Sequence, residues 1–232
     1  MIPFILALAP VVMIATFIYL KDKYEKEPLK HLVISFVLGI LSAIPAVIIS
    51  ISLENTQNLL YPVGDFKNLF RVAVFAFIVV SFAEEVAKYL VLEFYAFRQK
   101  EFDEPYDGIL YGTFISLGFA AIENVLYVME GGIEVALLRM FSAVPAHASF
   151  GIIMGYYFGL AWQHKDKSIS YKAKGLLAAI LLHGLYDFFL MQQLYPAFWI
   201  MSFVGLAISI WLCFKAIKSH NHRSPFRPKP LN

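Results

Sequence analysis

The chain is dominated by long apolar stretches that are separated by short polar segments. These stretches predict seven membrane-spanning helices, at about residues 3–20, 32–53, 69–97, 108–129, 136–162, 175–194 and 197–214. Each stretch can cross roughly 30 Å of hydrocarbon at about 1.5 Å per helical residue. The pattern therefore predicts an all-α, polytopic transmembrane helical bundle. The first stretch lacks the features of a cleaved signal peptide, so we expect it to be retained.

Composition supports a membrane protein with one domain. Of 232 residues, 59% are hydrophobic and only 16% are charged, which is too apolar for a soluble domain. No linker or internal repeat interrupts the apolar pattern, so residues 1–214 are predicted to form a single transmembrane domain. Residues 215–232 are basic and rich in proline, which is typical of a disordered tail.

The basic residues predict the orientation of the chain. Segments 21–31, 98–107, 163–174 and the tail from Lys215 together hold 15 of the 19 lysines and arginines. The positive-inside rule then places the N-terminus outside and the C-terminus in the cytoplasm. These basic residues are spread over several loops instead of being gathered with aromatic residues on one face, so we expect the lipid bilayer, and not a nucleic acid, to be their partner.

Ionisable side chains interrupt the apolar stretches at similar depths. An ionised residue that faces lipid at the centre of a membrane helix costs roughly 2.5–3.5 kcal/mol on insertion scales. We therefore expect these side chains to converge on an interior, hydrated site. They are Glu84, Glu85, Lys88, Glu123, His147, His183 and Asp187, with Asn124 beside them in the sequence.

Their spacing indicates how they could be arranged. Glu84 and Lys88 share one helical face, whereas Glu85 is turned by about 100°. One carboxylate can therefore pair with Lys88 while the other points into a cavity as a general base. His183 and Asp187 lie one turn apart, which suits either a shared metal ion or a carboxylate that orients an imidazole.

Carboxylates and histidines together are suited to the activation of water, and peptide hydrolysis is the natural reaction class. In one mechanism Zn²⁺ activates the water, and its expected ligands are His147, His183, Glu123 and Asp187. In the other, Glu84 or Glu85 deprotonates water without a metal, and His183 or Asn124 holds the oxyanion. The common HExxH zinc motif is not found in the chain.

The order of these motifs resembles that of the PrsW family of intramembrane proteases, which is similar to the type II CAAX prenyl proteases and to bacteriocin-processing enzymes. The resemblance is carried by Glu84-Glu85-Val86-Ala87-Lys88, Glu104-Pro105-Tyr106-Asp107-Gly108, Tyr111-Gly112, Gly118-Phe119, Glu123-Asn124, His147 with Gly151, and His183 with Asp187.

The resemblance implies a multi-pass protease of the bacterial plasma membrane. Its substrate would be a membrane-anchored protein, specifically an anti-sigma factor that is cut first in a cascade under envelope stress. The catalytic residues would be Glu84, Glu85, His147 and His183, completed by Glu123 and Asp187.

Two other classes of function remain open at this point. Chains of Glu, His and Asp across spans also form proton relays, so a proton-coupled transporter or channel is the alternative. A non-enzymatic membrane chaperone or sensor on the same scaffold would tolerate Glu85→Gln. Asp107 precedes Gly108 at the start of a span and is expected to be a helix N-cap.

Overall fold

The computed structural model describes residues 2–60 and 66–228, and every regular element in these ranges is a helix. A π-helical segment, Phe75–Ser81, joins α4 to α5, and short 3-10 turns lie at Ala96–Arg98, Lys165–Lys167 and Pro196–Phe198. The predicted all-α class is confirmed. The α-helices are α1 (Ile2–Lys21), α2 (Leu29–Leu41), α3 (Ala43–Leu60), α4 (Leu69–Val74), α5 (Phe82–Phe94), α6 (Pro105–Phe141), α7 (Ala143–Gln163), α8 (Ser168–Met191) and α9 (Trp199–Arg223).

Five segments in the described ranges are long and apolar enough to cross a membrane, which confirms the polytopic class. They are Phe4–Lys21, Leu29–Asn58, Pro105–Gln163, Lys165–Met191 and Pro196–Arg223. The third has 59 residues, far more than the roughly 20 that one crossing needs, and it contains both α6 and α7. The predicted span 69–97 is divided among α4, the π-helical segment and α5, and it is absent from this set because it carries several charges. The count of seven spans is therefore approximate.

Helices α6 and α7 form the centre of the bundle, where their backbones approach closely. A Cβ atom on Gly112 would lie 2.6 Å from the Gly151 carbonyl oxygen, and one on Gly151 would lie 2.5 Å from the Gly112 carbonyl oxygen. Only glycine fits at both positions, as in the small-residue crossings of other membrane helices. The close crossing allows Ser116 Oγ to donate a hydrogen bond to the His147 carbonyl oxygen at 2.7 Å.

Among the differences between the helix ends and the predicted boundaries, two change the description of the chain. Gly132 has φ 69°, which breaks α6 well before Phe141. Residues 133–141 therefore form a short helical arm. The helix that corresponds to the fifth predicted span starts at Ala143 instead of at 136. Helix α9 continues to Arg223. Residues 215–223 are thus helical and not disordered, whereas residues 229–232 lie outside the described ranges. The division into one domain and a tail otherwise stays a prediction, as does the orientation in the membrane.

Acidic side chains are buried at the end of the bundle where the α1–α2 and α5–α6 connections meet. Burial raises the pKa of Glu27 to about 8 and that of Glu104 to about 7. Glu104 accepts a hydrogen bond from the Ser224 hydroxyl beyond α9. Glu104 is the N-cap residue of α6 and Asp107 lies at N3, where the two side chains form a capping box. Asp107 therefore caps the helix from N3 and not from the expected N-cap position.

Candidate active site

Side chains from four helices meet inside the bundle. Helix α5 contributes Glu84, Glu85 and Lys88, α6 contributes Glu123, α7 contributes His147, and α8 contributes His183 and Asp187. Successive hydrogen bonds and ion pairs connect all seven side chains. The expected convergence of the intramembrane polar residues on one place is therefore present in the structure.

Glu85 and Lys88 lie at the centre of this network. Glu85 Oε1 accepts from Lys88 Nζ at 2.7 Å and lies 2.8 Å from His183 Nδ1. Its other oxygen, Oε2, is buried without a hydrogen-bond partner among the described residues. The Lys88 ammonium also contacts His147 Nδ1 at 3.1 Å and Glu84 Oε2 at 3.4 Å. Lys88 is thus shared by both glutamates instead of pairing with one.

Both imidazoles have the same orientation. Each directs Nδ1 towards the Glu85–Lys88 centre and Nε2 towards a carboxylate outside it. His147 Nε2 lies 2.7 Å from Glu123 Oε2, and His183 Nε2 lies 3.2 Å from Asp187 Oδ2. A carboxylate at Nε2 favours a proton on that nitrogen. His147 Nδ1 then accepts from the Lys88 ammonium, whereas His183 Nδ1 faces the Glu85 carboxylate and donates to it, so His183 without a metal carries a proton on both nitrogens.

Packing around the site fixes the helices that carry it. Ser81, the last residue of the π-helical segment, uses its hydroxyl to reach the carbonyl oxygens of Phe77 and Ile180, at 3.1 Å each. This contact joins the start of α5 to α8 one turn before His183. The Phe150 ring stacks on His183 with centroids 4.9 Å apart, and Phe119 lies under the Lys88 ammonium at 4.2 Å. The aromatic rings exclude water from two sides of the network.

The side chains at the centre fit a divalent metal ion. Ligand atoms of Glu84, Glu85, His147 and His183 all lie within 4.8 Å of one another. Two imidazole nitrogens with carboxylate oxygens are a common catalytic Zn²⁺ set, and Glu85 Oε2 is available as a further donor. Because Lys88 contacts three of these four residues, its ammonium would have to share them with a bound metal.

Glu123 and Asp187, which the sequence placed among the ligands, contact the outer nitrogens of the two imidazoles. Carboxylates in that position orient ligating histidines in many metal sites. The predicted set of His147, His183, Glu123 and Asp187 stays a prediction, but the carboxylates that lie beside both imidazoles are those of Glu84 and Glu85.

Asn124 is not brought into the site, although it follows Glu123. Its amide donates to the Ala7 carbonyl oxygen at 2.8 Å and accepts from Arg139 Nε at 2.8 Å. Sequence reasoning missed Arg139, whose guanidinium also pairs with Glu123 Oε2 at 2.9 Å. The sequence did contain a signal that Arg139 has a buried partner, because it is the one cation in the largely apolar arm of residues 133–141.

A buried network of acids and imidazoles in a polytopic helical bundle fits a membrane-embedded hydrolase. Comparison with known proteins gives the particular family. The family model described as "PrsW family intramembrane metalloprotease" matches residues 27–213. The chain therefore belongs to the PrsW family and is an intramembrane peptidase of the bacterial cell membrane.

Relatives named "Protease PrsW" cover most of the chain. The protein from Oceanobacillus iheyensis is 40% identical over 187 residues, which are 79% of this chain and 80% of the relative. The protein from Geobacillus kaustophilus is 37% identical over 185 residues, with 80% and 78% covered. The Bacillus subtilis protein is 34% identical over 206 residues, which are 88% of each chain. No solved structure matches the chain.

Proposed function

We propose that Glu84, Glu85, His147 and His183 form the catalytic centre of this intramembrane protease. The observation that carries the proposal is their convergence from three helices, with ligand atoms within 4.8 Å of one another. A single buried ion pair would be enough to hold the helices together, so four ionisable groups at one place support a catalytic role. The transporter alternative has no comparable support, since the relatives are proteases.

The two glutamates differ in exposure, which supports different roles. Glu85 has no exposed side-chain surface, whereas 13% of the Glu84 side chain is exposed. Glu84 Oε2 contacts Lys88 at 3.4 Å and lies 4.0 Å from His183 Nε2, so it is held less closely than Glu85. We assign Glu84 as the general base that takes a proton from the attacking water and returns it to the leaving amine.

Glu85, His147 and His183 are the groups that would hold Zn²⁺, through Glu85 and the two Nδ1 atoms. A bound Zn²⁺ supplies Lewis acidity, which lowers the pKa of water and polarises a peptide carbonyl. Glu123 and Asp187 keep the outer Nε2 atoms protonated and hold the rings in place. Lys88 provides a positive charge next to both glutamates, where it can stabilise negative charge that develops on the substrate.

The proposed substrate is a membrane-anchored protein, and the family resemblance implies an anti-sigma factor whose cleavage starts an envelope-stress cascade. To test it, each single-span anti-sigma factor of the host genome would be tagged and co-expressed with the wild-type protease or with Glu84→Gln. A fragment that forms only with the wild-type protease is expected. Cleavage of other membrane proteins but of no anti-sigma factor would overturn the substrate while leaving the peptidase assignment intact.

The catalytic assignment is tested separately with purified protein in detergent. Glu84→Gln should lower peptidase activity by about 10²–10⁴-fold, the usual contribution of a general base, with bound zinc near the wild-type level. Glu85→Gln should lose both activity and zinc. Glu93→Gln is the matched control, because Glu93 lies on the same helix and pairs with Lys172 away from the site. Activity within a few-fold of wild type in both test variants would refute the assignment.

Equal loss of zinc in Glu84→Gln and Glu85→Gln would refute the division of roles between the two glutamates. Thermal denaturation of each variant should accompany the assays, so that a loss of fold is not taken for a loss of chemistry.

A further inference from the structure

A second group of potential ligands lies at the polar end of the bundle, apart from the active site. One carboxylate oxygen each of Glu25, Glu27 and Asp107 lies within 4.8 Å of the others. Glu25 and Glu27 belong to the connection between α1 and α2, and Asp107 lies in the first turn of α6. Asp107 is 16 residues before Glu123 on α6, or about 24 Å along the helix.

Hydrogen bonds satisfy only part of this cluster. Glu27 Oε2 accepts from the Tyr111 hydroxyl at 2.5 Å, and Asp107 Oδ2 accepts from the backbone N–H groups of Asp103 and Glu104 at 2.8 and 2.7 Å. The other oxygens, Glu27 Oε1 and Asp107 Oδ1, are buried without a hydrogen-bond partner in the described ranges, as is Glu25 Oε2. Each of the three acids thus has one unpartnered buried oxygen.

Burial makes these oxygens significant. Glu27 is 1% exposed and Asp107 is 0% exposed, so water cannot hydrate their unpartnered oxygens freely. A buried carboxylate without a partner is strongly disfavoured unless a proton or a positive charge neutralises it. Three such acids facing one another can stay ionised together only beside a cation.

No side chain in residues 2–60 and 66–228 supplies that charge through an ion pair with these three acids. The nearest lysine in sequence, Lys26, directs its ammonium to the carbonyl oxygens of Tyr19 and Asp22 instead. It also lies over the Tyr19 ring, 4.7 Å from the centroid. Asp22 adds to the negative charge nearby, and both of its carboxylate oxygens are buried and unpartnered.

We propose that Glu25, Glu27 and Asp107 bind a hard divalent cation, Mg²⁺ or Ca²⁺, which clamps the α1–α2 connection to the start of α6. Ligation by oxygen atoms alone, with no imidazole or thiolate, is typical of these two ions. The site is distinct in chemistry from the catalytic centre, where two histidines favour Zn²⁺. By holding the start of α6, the cation would stabilise the helix that carries Glu123.

The test uses the full-length protein, purified in detergent and stripped of metal with a chelator. Binding of Mg²⁺ and of Ca²⁺ would be measured by titration calorimetry, and the midpoint of thermal unfolding would be followed with and without each ion. Wild type should bind one ion per chain and unfold at a higher temperature with it. Glu25→Gln and Glu27→Gln should bind at least about tenfold more weakly, because each removes one charged ligand.

Two controls separate this site from other acids. Asp166→Asn changes an exposed acid in a connecting loop, and Glu84→Gln changes the catalytic centre; both should bind Mg²⁺ or Ca²⁺ like wild type. If Glu27→Gln does not fold, the affinity of Glu25→Gln tests the proposal, because Glu25 Oε2 makes no hydrogen bond that this substitution would remove. Absence of saturable binding in wild type, or unchanged affinity in Glu25→Gln, would overturn the proposal.

Discussion

Replacing Lys88 with methionine tests whether the ammonium holds the active site together before a metal binds. Lys88 Nζ lies 2.7 Å from Glu85 and 3.4 Å from Glu84. At an effective dielectric constant of about 20, these pairs attract by about 6 and 5 kcal/mol. Desolvation offsets much of this attraction, and removal of one member of a buried pair costs about 3–5 kcal/mol. We expect that loss of stability in metal-free Lys88→Met, since methionine replaces the volume but not the charge.

The assay is thermal unfolding in detergent. A loss of about 3–5 kcal/mol corresponds to a decrease in Tm of about 6–20 °C for a chain of this size. Lys172→Met is the matched control, because Lys172 also pairs with a glutamate, Glu93 at 2.8 Å, and lies over a phenylalanine ring, but is partly exposed. Its loss should be about 1 kcal/mol or less. A Lys88→Met protein no less stable than the control variant would refute the argument that the ammonium compensates the buried acids.

Two further predictions concern packing and orientation. Gly151→Ala should destabilise the protein by about 1–3 kcal/mol in thermal unfolding, because the new Cβ would lie 2.5 Å from the Gly112 carbonyl oxygen. Gly205→Ala is the control and should not destabilise the protein, since no atom lies within 4 Å of its new Cβ. Equal effects of the two substitutions would contradict the close crossing of α6 and α7. A tag after Lys229 should be protected from protease in intact cells and accessible in inverted vesicles; accessibility from outside would refute the predicted orientation.

Much of the architecture can be predicted from the sequence, because hydropathy reports burial in lipid directly. The helical class and the clustering of Glu84, Glu85, His147 and His183 follow from the cost of placing charge in hydrocarbon. The spacing of residues along the sequence does not determine how each helix is rotated about its axis, because that rotation depends on packing against the other helices.

Asn124 illustrates this limit of the sequence. It follows Glu123 and is therefore turned by about 100°, so its amide contacts α1 while Glu123 faces His147. Arg139 contacts both residues. The break at Gly132 falls between the predicted spans 108–129 and 136–162, but the helical arm of residues 133–141 and the start of α7 at Ala143 needed the structure. Lys88 shows a related limit, because its shorter contact is with Glu85 at i,i+3 and not with Glu84 at i,i+4.

The net charge of the site is a second argument for a bound metal ion. Within residues 2–60 and 66–228, the four carboxylates of Glu84, Glu85, Glu123 and Asp187 face two permanent cations, Lys88 and Arg139. With neutral imidazoles, two negative charges remain in a region of low dielectric constant, where net charge is costly. Either two protons or one divalent cation can balance them. Each imidazole has a carboxylate at Nε2 and directs Nδ1 towards the Glu85–Lys88 centre. A divalent cation there would balance the charge and could take the two Nδ1 atoms as ligands in place of their contacts with Lys88 and Glu85.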